Sequence, residues 1–453
     1  MTFLTNADMP TGSGDWTFNG ASTRALTHCY HDYPARMIPQ VAGKLLDMFA
    51  RDAGLLFDPY CGTGTSLVEG LVRGTNVVGT DLNPLARLIA RAKTSMPGVQ
   101  ALDKQISLFN RYATRLHASG HLTPSVIRGI SRLDFWFKPI VVERLSQIKA
   151  FIQDIEDECV RMFFQVAFSE TVRESSNTRN EEFKLYRYSA EKLEGFNPNV
   201  FGIMAAKLKR NQKGLHSFLS IMQNFKLPPS SCIYDFNTVQ GVPADKLAEA
   251  SVDIVLTSPP YGDSHTTVAY GQYSRLSAAW LDLEGADKID SRLMGGTIAK
   301  KMASFPSETL NQALGQISAA NHKRALEVAA FYSDLYRSIS HVSPLIKPDG
   351  YACYVVGNRK VKGVVLPTDV AVRNFFESYG FEYVDTFHRA IPNKRMPLRN
   401  SPTNAAGVLD ATMTQEHIVV MRRKPLKTIG ESRRRAPARA TRRSRKRLAA
   451  TAS

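Results

Sequence analysis

Between residues 52 and 94 the chain reads DAGLLFDPYCGTGTSLVEGLVRGTNVVGTDLNPLARLIARAKT, and its apolar positions switch between a strand-like and a helix-like period. LLFDP predicts a short buried strand, SLVEGLVRG a helix closed by glycine, NVVGTDL a second strand, and NPLARLIARAKT a second helix with Pro84 in its first turn. This is a β-α-β-α unit. After Lys93 the pattern becomes helical, as in IVVERLSQIKAFIQDIEDECVRMFFQVAFSETVR, and from about 100 to 230 no run predicts a buried strand. Strand-like runs resume with SCIYDF, SVDIVLTSPPY, YACYVVGN, FEYVDTFHRA and EHIVVMRR, separated by the helical stretches YSDLYRSISHVSPL and TDVAVRNFFESYG. One α/β sheet interrupted by a helical block accounts for this order. A second interruption, 262–325, is rich in Ser, Thr, Gly and Tyr before turning helical at NQALGQISAANHKRALEVAA; loops of that length are usually functional or disordered. The chain therefore divides into a first part of the sheet domain (1–99), a helical insertion (100–230), a second part (231–423) and a tail (424–453).

Composition sharpens the reading in three places. A chain of 453 residues with 43% hydrophobic content can bury the cores of roughly two to three domains. No apolar run approaches the ~18 residues that span a bilayer, and MTFLTNADMPTGSGDWTFNG lacks both a basic start and an apolar stretch, so a cytoplasmic protein without a membrane partner is expected. Cys29, Cys61, Cys159, Cys232 and Cys353 are scattered and form no CxxC pair, which predicts reduced thiols and neither a metal site nor a disulfide framework. Of the net charge of +17, the tail from Lys424 carries a surplus of ten, eleven Lys or Arg against Glu431 alone, and leaves about seven for the rest. RRRAPARATRRSRKRLAATAS is Arg/Ala-rich and poor in core-forming residues, a composition that predicts disorder and polyanion contact, or a terminus that only aids solubility. The remaining basic surplus favours a phosphate-bearing partner.

Two motifs carry chemistry. In DPYCGTGT, Gly62 and Gly64 form a turn between a strand and a helix that lets backbone approach a ligand at the helix N-terminus, while Asp58 ends the strand at the open sheet edge. Asp81 ends the next strand about twenty residues later, where an acidic side chain accepts hydrogen bonds from the ribose hydroxyls of an adenosine-containing cofactor. There is neither a full GxGxxG nor a GK[ST], so a dinucleotide pyrophosphate and an NTP phosphate chain are both poorly accounted for. A short glycine turn alone is often just a turn; the aspartate at this interval strengthens the cofactor reading.

TSPPY, residues 257–261, is the second motif. The strand VDIVL delivers Ser258 to the carboxyl edge of the sheet, where ligands of open α/β folds collect. Pro259 and Pro260 fix φ and make a rigid turn whose carbonyls lack local amide partners, free to accept from an exocyclic amine, and Tyr261 offers a flat face for a base. Such a sequence can also simply end a strand.

Together, DPYCGTGT, TDLNPLA and TSPPY resemble the S-adenosylmethionine-dependent DNA amino-methyltransferases, and Ser before Pro-Pro-Tyr is similar to the cytosine-N4 group. The likeness covers roughly 28–94 and 231–423. It implies an α/β fold with a Rossmann-like class I methyltransferase sheet, here with a large helical insertion and a disordered basic C-terminal tail. It also implies S-adenosylmethionine as cofactor, with Asp58, Tyr60, Gly62, Gly64, Thr65, Asp81 and Asn83 around it. HDYPARMIPQVAGKLLDMF (31–49) is similar to the element that closes the methionine end of that site, enlisting Tyr33 and Pro34, and YDFNT to the element that meets the adenine, with Asp235 and Phe236. Ser258, Pro259, Pro260 and Tyr261 take the catalytic positions.

The implied reaction is methyl transfer to the N4 amine of a cytosine flipped from double-stranded DNA, in a restriction-modification context with a cognate restriction endonuclease. Methylation at ring carbon 5 needs a cysteine nucleophile, generally presented after a proline, and none of the five cysteines follows one. Adenine-N6 DNA methylation stays open, because one serine does not decide the ring; RNA amino-methylation and a non-catalytic DNA-binding protein are further alternatives. For DNA contact, residues 171–214 mix Arg, Lys, Asn and Tyr but are equally readable as an ordinary solvated helical face, and His265, Tyr270 and Tyr273 after the diproline turn are candidates to close over the flipped base.

Overall fold

The computed structural model describes residues 14–118, 127–179, 184–262, 270–285, 289–391, 399–400, 410–411 and 413–425. His265 and the basic tail beyond Pro425 lie outside them.

Seven strands make one sheet: β1 (Leu55–Asp58), β2 (Asn76–Thr80), β3 (Ser231–Tyr234), β4 (Val252–Thr257), β5 (Ile346–Val356), β6 (Phe381–Ala390) and β7 (Gln415–Arg423). Their order across the sheet is β3-β2-β1-β4-β5-β7-β6. The first five are parallel neighbours, and β7 runs antiparallel to both β5 and β6. The α/β sheet expected from the sequence, Rossmann-like in its order, is present, and each of its strands coincides with a run marked out by apolar periodicity.

The helices longer than five residues are α1 (Pro39–Phe49), α2 (Thr65–Leu71), α3 (Pro84–Thr94), α4 (Val99–Ala118), α5 (Pro139–Gln153), α6 (Glu158–Ser175), α7 (Val200–Met222), α8 (Tyr270–Trp280), α9 (Glu308–Ala320), α10 (His322–Val342) and α11 (Thr368–Ser378), among the described residues. The period of two along the strands sorts side chains to opposite faces. Leu56, Ile254, Leu256, Val355 and Val420 pack with α1–α3 and with α4–α7 of the helical insertion, whereas Phe57, Val255, Tyr354 and Val419 pack with α9–α11. Both faces of the parallel sheet are thereby covered, as such sheets require.

β1 and β4 are adjacent, yet the chain leaves one toward β2 and the other toward β5. This reversal of strand order opens a crevice at the carboxyl ends of β1 and β4. The glycine turn follows β1 and the diproline turn follows β4, so topology alone brings the two motifs to one rim. Among the described residues no helix is long and apolar enough to cross a membrane.

Candidate active site

Asp58 closes β1 with a buried carboxylate that gathers three donors. Its Oδ1 accepts from the Tyr60 N–H at 3.0 Å and from the Thr257 hydroxyl at 2.5 Å, and its Oδ2 accepts from the Ser66 hydroxyl at the start of α2. Burial pushes the Asp58 carboxyl up to about 6, against the pull of those three hydrogen bonds. Through it the end of β1, the first turn of α2 and the residue preceding Ser258 are bound to one group.

The glycine turn is built for close approach. Gly62 sits at φ +50°, and a Cβ placed there would meet nothing within 4 Å, because it would point into open space. Gly64, at φ +74°, is different: a Cβ there would come within 3.1 Å of the Ala90 Cβ, so this glycine lets α2 pack on α3. From beneath, the fully buried Lys93 donates its Nζ hydrogen to the Thr63 carbonyl at 2.8 Å, and burial lowers this ammonium to about 7. The Thr63 hydroxyl is buried without a hydrogen-bond partner among the described residues.

Asp81 accepts the Gly62 N–H on Oδ2 at 3.0 Å and the Asn83 N–H on Oδ1 at 2.8 Å, and burial raises its carboxyl above the usual value. Each oxygen keeps a further acceptor site. Asn83 itself caps α3, and its amide donates to the Tyr33 hydroxyl and to Ser274, both at 2.8 Å. Its hydrogens are spent on tying Tyr33 to α8. Tyr33 in turn stacks on Tyr270, with centroids 5.9 Å apart and planes 17° apart.

These residues surround a cavity of about 960 Å³ including its solvent-open mouth. Of the residues singled out from the sequence, Tyr33, Pro34, Asp58, Tyr60, Gly62, Thr65, Asp81, Asn83, Phe236, Ser258 and Pro260 line it; Gly64, Asp235, Pro259 and Tyr261 do not. Gly64 faces α3, and Asp235 borders the neighbouring groove that shares Phe236 with the cavity. Tyr261 turns its hydroxyl to Glu416 on β7. Phe236 presents its ring beside Tyr234 at 5.8 Å, and its carbonyl accepts from Thr80. Residues of both motifs line the one cavity: Gly62 and Asp81 with Ser258 and Pro260.

Several contributors carried no sequence signal. Arg292, Leu293 and Met294 from the second interruption line the cavity, as does Arg36, whose guanidinium donates to the His28 and His31 carbonyls. Thr257 was legible only as the end of a strand. Tyr270 lines the cavity, but Tyr273 lies one turn into α8, buried beneath the Arg173 guanidinium at 3.9 Å with its hydroxyl on the Asp32 carbonyl. In the 171–214 segment, Arg173, Lys207 and Arg210 are turned to internal partners, the last two to Glu174 and Glu170. All five cysteines are outside disulfides, and burial holds the Cys61 thiol well above its usual range.

Comparison with known proteins bears on this cavity. The chain is 41% identical over 423 residues to the type II methyltransferase M.MvaI of Kocuria varians, covering 89% of this chain and 93% of that protein. A shorter stretch of 77 residues is 34% identical to the type II methyltransferase M.MjaII of Methanocaldococcus jannaschii, covering 17% of this chain and 14% of that protein. No family model matches. Among solved structures, the rRNA methyltransferase aviRa of Streptomyces viridochromogenes overlaps 86% of this chain and 88% of its own at 12% identity, but its TM-score of 0.30 is too low to carry weight.

Proposed function

The chain belongs to the type II methyltransferases, and on that premise we propose that it transfers a methyl group from S-adenosylmethionine to the N4 amine of a cytosine everted from duplex DNA. It is a methyltransferase that uses S-adenosylmethionine and acts on DNA at a specific site, within a restriction-modification system. The base, the atom and a cognate restriction endonuclease acting on the same site are the finer part of the reading.

The observation that carries it is the shared cavity: Asp81 and Phe236, suited to an adenosine, and Ser258 and Pro260, suited to an amine, line one space. S-adenosylmethionine fits the cavity on several counts. Asp81 has unspent acceptor sites for ribose hydroxyls, Gly62 leaves the turn open, and Phe236 offers a ring face to a purine. The Thr63 hydroxyl, without a hydrogen-bond partner among the described residues, and the Arg36 guanidinium, beside Tyr33 and Pro34, would hold the amino-acid end. When bound, the cofactor supplies a methyl group on a sulfonium, open to in-line displacement.

The work of the chain is then to present the amine. The exocyclic nitrogen of cytosine is a poor nucleophile because its lone pair is delocalised into the ring. The Ser258 hydroxyl oxygen, which lines the cavity, would accept from the amine and favour the tetrahedral nitrogen of the transition state. Alignment in a site that excludes water contributes on the order of 7–11 kcal/mol to such a step. Extruding the base from the duplex costs a few kcal/mol. Serine before Pro-Pro-Tyr is what favours cytosine over adenine.

The test is incubation of plasmid DNA with the protein and isotopically labelled cofactor, then chromatographic nucleoside mass spectrometry. Label in N4-methylcytosine is expected; label in 5-methylcytosine, or none in DNA, overturns the proposal, and label in N6-methyladenine overturns the choice of base.

A further inference from the structure

Tyr261 is tethered to the far side of the sheet. Its hydroxyl donates to Glu416 Oε1 at 2.9 Å, and Glu416 Oε2 accepts from Arg389 Nη1 at 2.5 Å. The Ser258 hydroxyl lies 3.3 Å from the Tyr261 oxygen and donates to it. Arg389 and Glu416, on β6 and β7, are largely buried, with side chains 9% and 13% exposed. The tyrosine ring rests on the end of β5, where a Cβ at Gly357 would stand 3.2 Å from its Cδ2.

We propose that Glu416 and Arg389 are positioning residues that fix the direction of the hydroxyl hydrogens on Tyr261 and Ser258, so that the Ser258 oxygen meets the cavity as an acceptor only. This rests on the functional reading above. Each hydroxyl owns one hydrogen, and a carboxylate can only accept. Burial pushes the Tyr261 phenol well above its ordinary value, so its hydrogen stays on and must go to Glu416. The Tyr261 oxygen is then left to accept from Ser258, and both lone pairs of Ser258 are left for the incoming amine. Without the relay the serine hydrogen could rotate toward the base and donate to a ring nitrogen. A chain of donors running one way also polarises each member, which strengthens the last acceptor.

The relay is separable from packing by the isosteric Glu416→Gln. Arg389 draws the amide oxygen, so the amide N–H₂ faces Tyr261; the tyrosine oxygen must then accept, and its hydrogen turns to Ser258, reversing the chain. Wild type, Glu416→Gln, Glu416→Ala and Tyr261→Phe are compared for kcat and KM on duplex DNA, with S-adenosylhomocysteine affinity by calorimetry and thermal midpoints alongside. Glu416→Gln and Tyr261→Phe are expected to lower kcat roughly tenfold to a hundredfold, with KM for DNA and ligand affinity within about twofold of wild type. Wild-type turnover in Tyr261→Phe, or in Glu416→Gln while Glu416→Ala is impaired, overturns the relay and leaves the functional reading standing. A wild-type chain that methylates no DNA amine overturns both.

Discussion

Thr257, the last residue of β4, donates its hydroxyl hydrogen to Asp58, the last residue of β1, across 2.5 Å. Both side chains are buried, at 0% and 3% exposure, and the bond joins the strand that leads to Ser258 with the strand that leads to Gly62. The distance between the two turns is set here. Thr257→Val keeps the shape but leaves a buried carboxylate short of one donor, which costs about 1–3 kcal/mol. Urea unfolding should report that loss, and Thr257→Ser should recover most of it.

Asp58 also predicts a pH dependence of stability. Its folded-state carboxyl keeps its proton to about pH 6, whereas the unfolded group releases it near 3.8. The folded state binds more protons between these values, so the stability owed to this group is full below pH 3.8 and is lost as pH rises through 6. The difference is on the order of 3 kcal/mol. Other carboxyls titrate in the same window, so the readout is the difference in unfolding free energy between wild type and Asp58→Asn: it should fall with pH across this interval and be level above about 7.

The two glycines of the turn should separate by phenotype. Each holds a positive φ, which costs an alanine roughly 1–2 kcal/mol. Gly62 lines the cavity and a new methyl there meets no protein atom within 4 Å, so Gly62→Ala is expected to weaken S-adenosylhomocysteine binding tenfold or more, a loss of about 1.4 kcal/mol or above, with the larger deficit in affinity. At Gly64 the methyl meets Ala90 at 3.1 Å, so Gly64→Ala is expected to lower the thermal midpoint more than the affinity. Calorimetry and thermal melts on both variants check the pair.

The sheet was legible in the sequence because its strands are short apolar runs between glycine, proline and asparagine punctuation, a local signal. Gly62, Asp81 and Ser258 were legible for a related reason: turn chemistry and strand ends are local too. What stayed hidden depends on contacts between distant segments. Glu416 reads as one acidic residue at the start of EHIVVMRR, and only the antiparallel placement of β7 beside β5 brings it to Tyr261. Arg292 to Met294 lie in a stretch without periodicity, and the inward turn of Tyr273 follows from α8 starting at Tyr270. Likewise, the insertion's cations look available to a polyanion until Arg210 is seen on Glu170.

The basic tail makes a prediction from charge alone. Removing residues 424–453 deletes a surplus of ten positive charges, eleven Lys or Arg less Glu431. Counterion release makes the affinity of such a segment for duplex DNA steeply salt-dependent. The truncated protein is expected to show weaker nonspecific binding and a shallower plot of log affinity against log salt, measured by fluorescence anisotropy, while methylating the same sequence.

The central claim is that cofactor and target amine meet in one cavity between the glycine and diproline turns. A crystal structure with duplex DNA and sinefungin, in which an amine-bearing carbon replaces the methyl-bearing sulfonium, tests it most directly. The account predicts ribose hydroxyls on Asp81, an everted cytosine with its amine on the Ser258 oxygen, and reacting positions within about 3.5 Å of each other. A ligand bound away from Gly62 and Asp81, or a target base that never reaches Ser258, would contradict it.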